Sequence, residues 1–478
     1  MTTRIRLRAI LALAPAALLT LHAAALAQQS SLTPFQSLGR ELLQEMAETN
    51  TEYSIGSTTK LAESLAARFR AAGFPAADAQ VVGPDTGKDA KDKNLLVRYR
   101  GRGARAPILL IGHIDVVEAK PSDWVLDPFK LTERDGHFYG RGTLDMKNGD
   151  ASWVAALLRM KQEKIVPSGD IILALTAGEE GGGGYNGIRW LVEHRRDLLD
   201  VAYVLNADAG GGELRDGKAY TFDVQAAEKV FQSFALTVRN PGGHSSLPEK
   251  DNAIYRIAAA LGRLSGYEFP MATNQVTRDY FARTAPLSEP TLAGELRAVS
   301  GATISDTAAA SRLAARSPYY NAQLRTTCVA TMIQGGHARN ALPQRVEAFV
   351  NCRMLPGTNP ADVERTLRTV VADTAVVVTR ADSSIASPAS IMPPQVEQTL
   401  RGVVTSLWGP VPLVPQMETG ATDGLFLRNA GLPVYGVSGY FLDPNNAADT
   451  RAHGLDERIS VKGYYDQIEF AYRLLKAL

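Results

Sequence analysis

The chain reads as an α/β protein: a larger domain with a mixed, mostly parallel sheet, into which a smaller α+β domain is inserted. Three observations predict this. Strand-like and helix-like runs alternate from about residue 32 to 225, the pattern of a sheet covered on both faces. That pattern breaks after Glu228 and resumes near Pro393. Finally, three apolar runs, at 108–111, 171–176 and 201–205, each lead into an acid or a histidine. Open α/β sheets place their ligands at that carboxyl end.

In order, a strand is expected at 94–99, followed by the 108–111 strand, which ends in Gly112-His113-Ile114-Asp115. The glycine-rich stretch from Gly140 to Gly149 holds Asp145 and leads into a helix at 151–161. It lacks the lysine-serine/threonine ending of a phosphate-binding loop and the dinucleotide glycine spacing. The 171–176 strand runs into Glu179-Glu180, and the 201–205 strand into Asp208. After Glu228 a half-exposed strand is read at 231–238, a loop at 240–248, a helix at 252–264, strands at 326–333 and 346–353, and a helix at 360–371. The alanine-rich section 271–320 is long and poorly patterned. A helix at 395–408, a strand at 433–437 and a helix at 460–475 return to the first domain.

The N-terminus is set apart. Arg4, Arg6 and Arg8 precede an apolar run at 9–21, and Ala25-Leu26-Ala27 offers a small-x-small cleavage site. This reads as a secretory signal peptide over 1–27, with a genuine N-terminal helix as the alternative. A periplasmic or secreted protein follows. Removing 27 of 478 residues leaves 451, and losing three arginines takes the formal charge from +1 to −2. That balance excludes a basic nucleic-acid footprint, and no later stretch is apolar enough to span a bilayer. A hydrophobic fraction of 45% with 21% charged residues is that of an ordinary globular protein.

Two cysteines are too few for a disulfide scaffold. Cys328 and Cys352 lie on two β-like runs, and an antiparallel hairpin centred near Asn340 would set them opposite each other. Export permits a disulfide; two buried thiols are the alternative.

His113 with Asp115 two positions on is a pair suited to a metal, the imidazole binding and the carboxylate fixing its tautomer. Repeated delivery of acids at strand ends points the same way. An isolated Glu179-Glu180 pair would be read as solvated surface.

Together, Gly112–Asp115, Trp124–Phe129, Gly140–Gly149, Gly178–Gly181, Gly243-His244-Ser245-Ser246, Asn351–Gly357 and His453 resemble a family of co-catalytic zinc hydrolases. It includes bacterial glutamate carboxypeptidase, succinyl-diaminopimelate desuccinylase, aminoacylase and carnosinase. The likeness extends over nearly all of the expected mature chain. It implies two Zn2+ per subunit, with cobalt or manganese able to substitute: His113 and Asp208 on one ion, Glu180 and His453 on the other, and Asp145 bridging them. A cis peptide bond is implied after Asp145, and Asp115 is expected to bond His113. Nitrogen and oxygen ligands suit zinc. Two metals roughly 3.5–4 Å apart clamp both oxygens of a hydrolytic transition state.

By the same resemblance Glu179 is the general base, taking a proton from water acidified by metal and passing it to the leaving amine. His244 stabilises the oxyanion, often across a dimer interface; Arg353 binds a substrate carboxylate and Asn340 assists. The segment from Glu418 to Phe426 resembles the family's glycine-threonine-aspartate loop, but Gly424-Leu425 stands where arginine or serine commonly follows. The implied domains are catalytic over 28–228 and 384–478, with a lid and dimerisation domain over 229–383. Aspartate at 208 accompanies substrates with a free α-amino group in this family. The expected function is therefore a secreted zinc metallopeptidase cleaving short peptides, a dipeptidase or other exopeptidase. An N-acyl-amino-acid hydrolase or carboxypeptidase is the alternative, and an inactive binding protein a remote one.

Overall fold

The computed structural model describes residues 32–181, 184–444, 446 and 451–478; the expected signal peptide lies outside the described residues. Among these residues no helix is long and apolar enough to cross a membrane.

A ten-stranded sheet forms the larger layer. Its order is Ala79–Val82, Asn94–Tyr99, Ile171–Thr176, Ile108–His113, Val204–Asn206, Val434–Gly436, Lys218–Glu228, Gly211–Arg215 and Phe441–Leu442, with Leu413–Glu418 pairing the 218–228 strand. The four strands from 171–176 to 434–436 run parallel. Every residue of the 108–113 and 171–176 strands is buried. Both faces are covered, so these strands are continuously apolar rather than alternating. The helices Pro34–Glu48, Lys147–Gln162 and Val461–Ala477 cover one face, their core including Leu42, Trp153, Leu157 and Phe470. On the other, Ile188 and Leu427 pack against Leu109 and Ile111.

The second sheet is antiparallel, in the order Thr327–Gly335, Arg345–Met354, Val230–Arg239 and Val377–Arg380. The 345–354 strand alternates between buried and half-buried residues along most of its length, because only one face is covered by the helices Ala253–Ser265 and Pro360–Val371.

Two segments depart from expectation. The 271–320 section is helical: Gln275–Thr284, Pro290–Val299, Thr307–Arg316 and Pro318–Leu324, the last reaching slightly beyond it. Asn274, Glu289, Asp306 and Ser317 cap these helices, each side chain accepting first-turn backbone N–H groups. Phe281, Leu296, Leu313 and Leu324 form its core and meet Val414 of the 413–418 strand. Gln323 donates to the Met417 carbonyl at 2.8 Å, so the module braces that strand. The other departure is the hairpin joining 211–215 to 218–228. Its turn residues Asp216 and Gly217 have φ of 51° and 71°, the two left-handed positions of a tight hairpin.

Cys328 and Cys352 face each other in register and are disulfide-bonded, so the buried-thiol alternative falls. A bulge between Ala330 and Met332 shifts the register only beyond this pair. The bond closes a separation of 24 residues. Constraining the unfolded chain in this way stabilises by about 3 kcal/mol. The double substitution C328A/C352A is expected to lower the urea midpoint by that equivalent; an unchanged midpoint would show that the bond does not constrain the unfolded chain.

Asp223, on the 218–228 strand, has a buried Oδ1 without a hydrogen-bond partner. Burial pushes its carboxyl up to about 7, with the Thr221 side chain opposing and Glu213 and Glu418 adding to the rise. Such a group stays protonated in the fold while the unfolded chain ionises near pH 4, so it erodes stability as pH rises from about 4 to about 7. D223N is expected to stabilise at pH 8 by at least about 1 kcal/mol and to have little effect at pH 4. Equal urea-midpoint shifts at the two pH values would contradict this.

Candidate metal centre

The order of the central strands decides what meets. The 108–113 strand lies between 171–176 and 204–206. His113, the Glu179-Glu180 turn and Asp208 therefore emerge side by side from three adjacent carboxyl ends. Two glycines allow close approach here. A Cβ on Gly112 would stand 2.1 Å from Asp150 Oδ1, so the 147–162 helix packs directly on the strand end. Gly178 has φ +80°, and a Cβ there would lie 2.3 Å from the Tyr185 carbonyl.

The His113 ring is oriented by a carbonyl. Its Nδ1 lies 3.1 Å from the Asp115 backbone oxygen, an acceptor, so Nδ1 carries the proton in the neutral ring and Nε2 presents its lone pair to the site. The expected bond from the Asp115 carboxylate is not the one made. That carboxylate lies 3.8 Å from Nδ1 and instead accepts the backbone N–H groups of Glu179 and Glu180 at 3.3 and 3.1 Å. Two otherwise unpaired turn donors claim the charge. Asp115 thus positions the acidic turn as well as the histidine.

Asp145 is carried by the 140–149 loop, with the expected cis peptide bond to Met146. Glu457 holds this loop: its carboxylate accepts from Leu144 N at 2.7 Å and Asp145 N at 3.1 Å, and pairs with Arg141 at 2.6 Å. Arg141 also reaches the His453 carbonyl at 3.4 Å and lies over the Trp124 ring. Neither Arg141 nor Glu457 was singled out in the sequence. Asp423, in the 418–426 loop, accepts from Thr176 Oγ1 at 2.8 Å and Asn186 Nδ2 at 2.6 Å.

The two oxygens of Asp145 face different histidines: Oδ1 is 3.2 Å from His113 Nε2, and Oδ2 is 3.1 Å from His453 Nε2. Asp208 Oδ1 lies 3.6 Å from His113 Nε2, and Glu180 Oε1 lies 3.0 Å from His453 Nε2. Glu179 Oε2 is 4.0 Å from His113 Nε2. Ligand atoms of His113, Asp145 and Glu180 all lie within 4.8 Å of one another.

Crowded acids set the electrostatics. Burial pushes Asp208 up to about 7 and Glu179 well above its ordinary range, with neighbouring carboxylates adding to the rise in each. Burial pulls the His113 imidazole down, but the Asp208, Asp145 and Glu179 carboxylates outweigh it and hold it well above its usual value. Hydrogen bonds that the His453 imidazole donates to the Asp145 and Glu180 carboxylates hold it up to about 10. Asp145 is pushed up by burial, yet both imidazoles hold it below the carboxylate range. Four carboxylates around two imidazoles make a surplus of negative charge that divalent cations would neutralise. The donors are nitrogen and oxygen, and Asp145 divides them into His113 with Asp208 and His453 with Glu180. The residues present fit two zinc-like ions.

The remaining expected residues lie on and around the antiparallel sheet, between Val230 and Met354. His244 and Asn340 come together, Ser245 N donating to the Asn340 carbonyl at 3.0 Å. The His244 ring is exposed and bonds Ser246 Oγ at 2.7 Å. Arg353 stacks on Phe231 at 4.9 Å. Among the described residues, none of these contacts joins His244, Asn340 or Arg353 to the imidazole–carboxylate cluster.

Residues 109–477 match the sequence model of peptidase family M20/M25/M40. The N-fatty-acyl-amino acid synthase/hydrolase PM20D1 of Homo sapiens is 30% identical over 390 residues, covering 77% of this chain and 74% of that protein. Among solved structures, the M20 family metallo-carboxypeptidase Sso-CP2 from Sulfolobus solfataricus superposes with TM-score 0.66 at 16% identity, covering 92% of this chain and 98% of the other. Human carnosine dipeptidase 1 superposes with TM-score 0.64 at 18% identity, covering 92% and 96%. A family match over most of the sequence, with a shared fold, means that the chain belongs to peptidase family M20/M25/M40 and is a metallopeptidase-type amidohydrolase.

Proposed function

We propose that this protein is an exported two-metal enzyme that hydrolyses the amide bond of N-acyl amino acids. The division of Asp145 between His113 and His453 carries the two-metal reading. The choice of substrate rests on the 30% identity to an N-fatty-acyl-amino acid synthase/hydrolase across three quarters of both chains. Export is supported by residues 1–27 and by the disulfide, which persists in oxidising compartments.

His113 and Asp208 would hold one zinc ion, His453 and Glu180 the other, and Asp145 both; cobalt or manganese would serve in place of zinc. When bound, the ions polarise the amide carbonyl and acidify the attacking water. Glu179 takes the proton from that water and returns it to the leaving nitrogen. Arg353 offers a planar fork to the carboxylate of the leaving amino acid. Asn340 and His244, neighbours on one loop cluster, supply donors to the substrate and the developing oxyanion.

Because His244 is exposed in the single chain, we propose a homodimer through the inserted domain. Its edge strand Thr327–Gly335 exposes Val329, Met332 and Ile333, an unpaired apolar edge of the kind that associates.

Free dipeptides are the second reading, favoured by Asp208. Purified protein lacking residues 1–27, assayed on N-acyl amino acids, free dipeptides and blocked peptides, separates the two. Chelator-sensitive, zinc-restored hydrolysis of N-acyl amino acids is expected; preference for free dipeptides would replace this reading with the second.

A further inference from the structure

A cavity of about 160 Å³ opens beside the cluster, with Glu180 and Asp115 on its wall. Tyr53 and Val117 contribute to its largely apolar lining. Its charged lining residues are all acids: Asp92, Asp115, Glu118 and Glu180, with no lysine, arginine or histidine among the described residues that line it. Most of these acids are engaged. Asp115 accepts from the 179–180 turn, Glu180 faces His453, and Glu118 accepts from Ser54 N and Oγ at 3.1 and 2.8 Å. Asp92 differs: only 6% exposed, it has a buried Oδ2 with no hydrogen-bond partner. The neighbouring Lys91 amine donates to the carbonyls of Tyr53 and Gly56 and makes no hydrogen bond to this Oδ2, although its charge opposes the rise that burial causes in the Asp92 carboxyl.

The two halves of an N-acyl amino acid differ in charge. The amino-acid half carries a carboxylate, which the poorly solvated Asp92 carboxylate repels; the charge of Asp115 and Glu180 belongs to the metal centre, where bound cations would offset it. The acyl half is free of charge unless its chain ends in a second acid. We propose that this cavity takes the acyl half and that Asp92 selects uncharged acyl chains against chains ending in a carboxylate. This rests on the N-acyl-amino-acid reading above. Specificity here comes from a repulsive element as much as from apolar contact. Val117, half-buried on the same wall, sets the room for the chain.

The test compares kcat/KM for N-hexanoyl and N-adipoyl derivatives of one amino acid, equal in carbon count and different in terminal charge. The wild type is expected to favour hexanoyl, and D92N to reduce that preference at least about tenfold. V117W is expected to depress octanoyl relative to acetyl turnover. Wild-type activity on N-acyl amino acids, with both ratios unchanged in the two folded variants, would overturn the pocket assignment. Cleavage of dipeptides without any activity on N-acyl amino acids would overturn the substrate reading, and the pocket assignment with it.

Discussion

Replacing Glu179 with glutamine is expected to lower kcat by about 10²–10⁴-fold, the usual contribution of a positioned acid–base group, while leaving the bound metal content unchanged. Glutamine keeps the shape of the side chain and its fit in the turn that the Asp115 carboxylate organises through the Glu179 and Glu180 amides. It removes the group that accepts a proton. Steady-state kinetics beside metal analysis on the same preparation distinguishes this from a folding defect. Activity at the wild-type level would place the base elsewhere. Loss of metal together with activity would make Glu179 a ligand instead.

Replacing Asp145 with alanine should do more. Its two oxygens face His113 and His453 on opposite sides, and no other residue in the cluster faces both. The variant is expected to bind less metal and to lose activity by more than the roughly 10–100-fold typical of a supporting partner. Removing this carboxylate also takes away the hydrogen-bonding partner that raises His453. Metal content by mass spectrometry and kcat at saturating zinc would be measured together. Restoration of full activity by excess zinc alone would show that Asp145 is not a bridge.

Much of this site is legible in the sequence because parallel strands convert chain order into position. The apolar runs at 108–113 and 171–176 are buried on both faces, and the residues that follow them have few other places to go. His113, Glu179, Glu180 and Asp208 meet for that reason, and Asp145 and His453 join them through loops. What held those loops was hidden. Arg141 and Glu457 form a buried ion pair across 316 residues, and no local periodicity announces such a partner. The further partners of the Asp115 carboxylate, the Glu179 and Glu180 amides, are backbone donors that only the folded turn supplies.

The helices of 271–320 were missed for a different reason. Their alanine-rich, ten-residue or shorter segments give a weak periodic signal. Their capping residues, and Pro290 and Pro318 in first turns, were nevertheless present. The Asp216-Gly217 hairpin signal was likewise there to be read. The placement of His244 beside Asn340, by contrast, depends on pairing between two short strands, Gly243–His244 and Ala341–Leu342. Two-residue strands leave almost no pattern in a sequence.

The most direct measurement is the number of metal ions held by the purified chain without residues 1–27, by native mass spectrometry, alongside amide hydrolysis during stepwise chelation and zinc return. Two ions per chain, with activity lost as they leave and regained as they return, is the expected result. Full activity with no metal bound, or with a single ion throughout, would contradict the two-metal site built around Asp145.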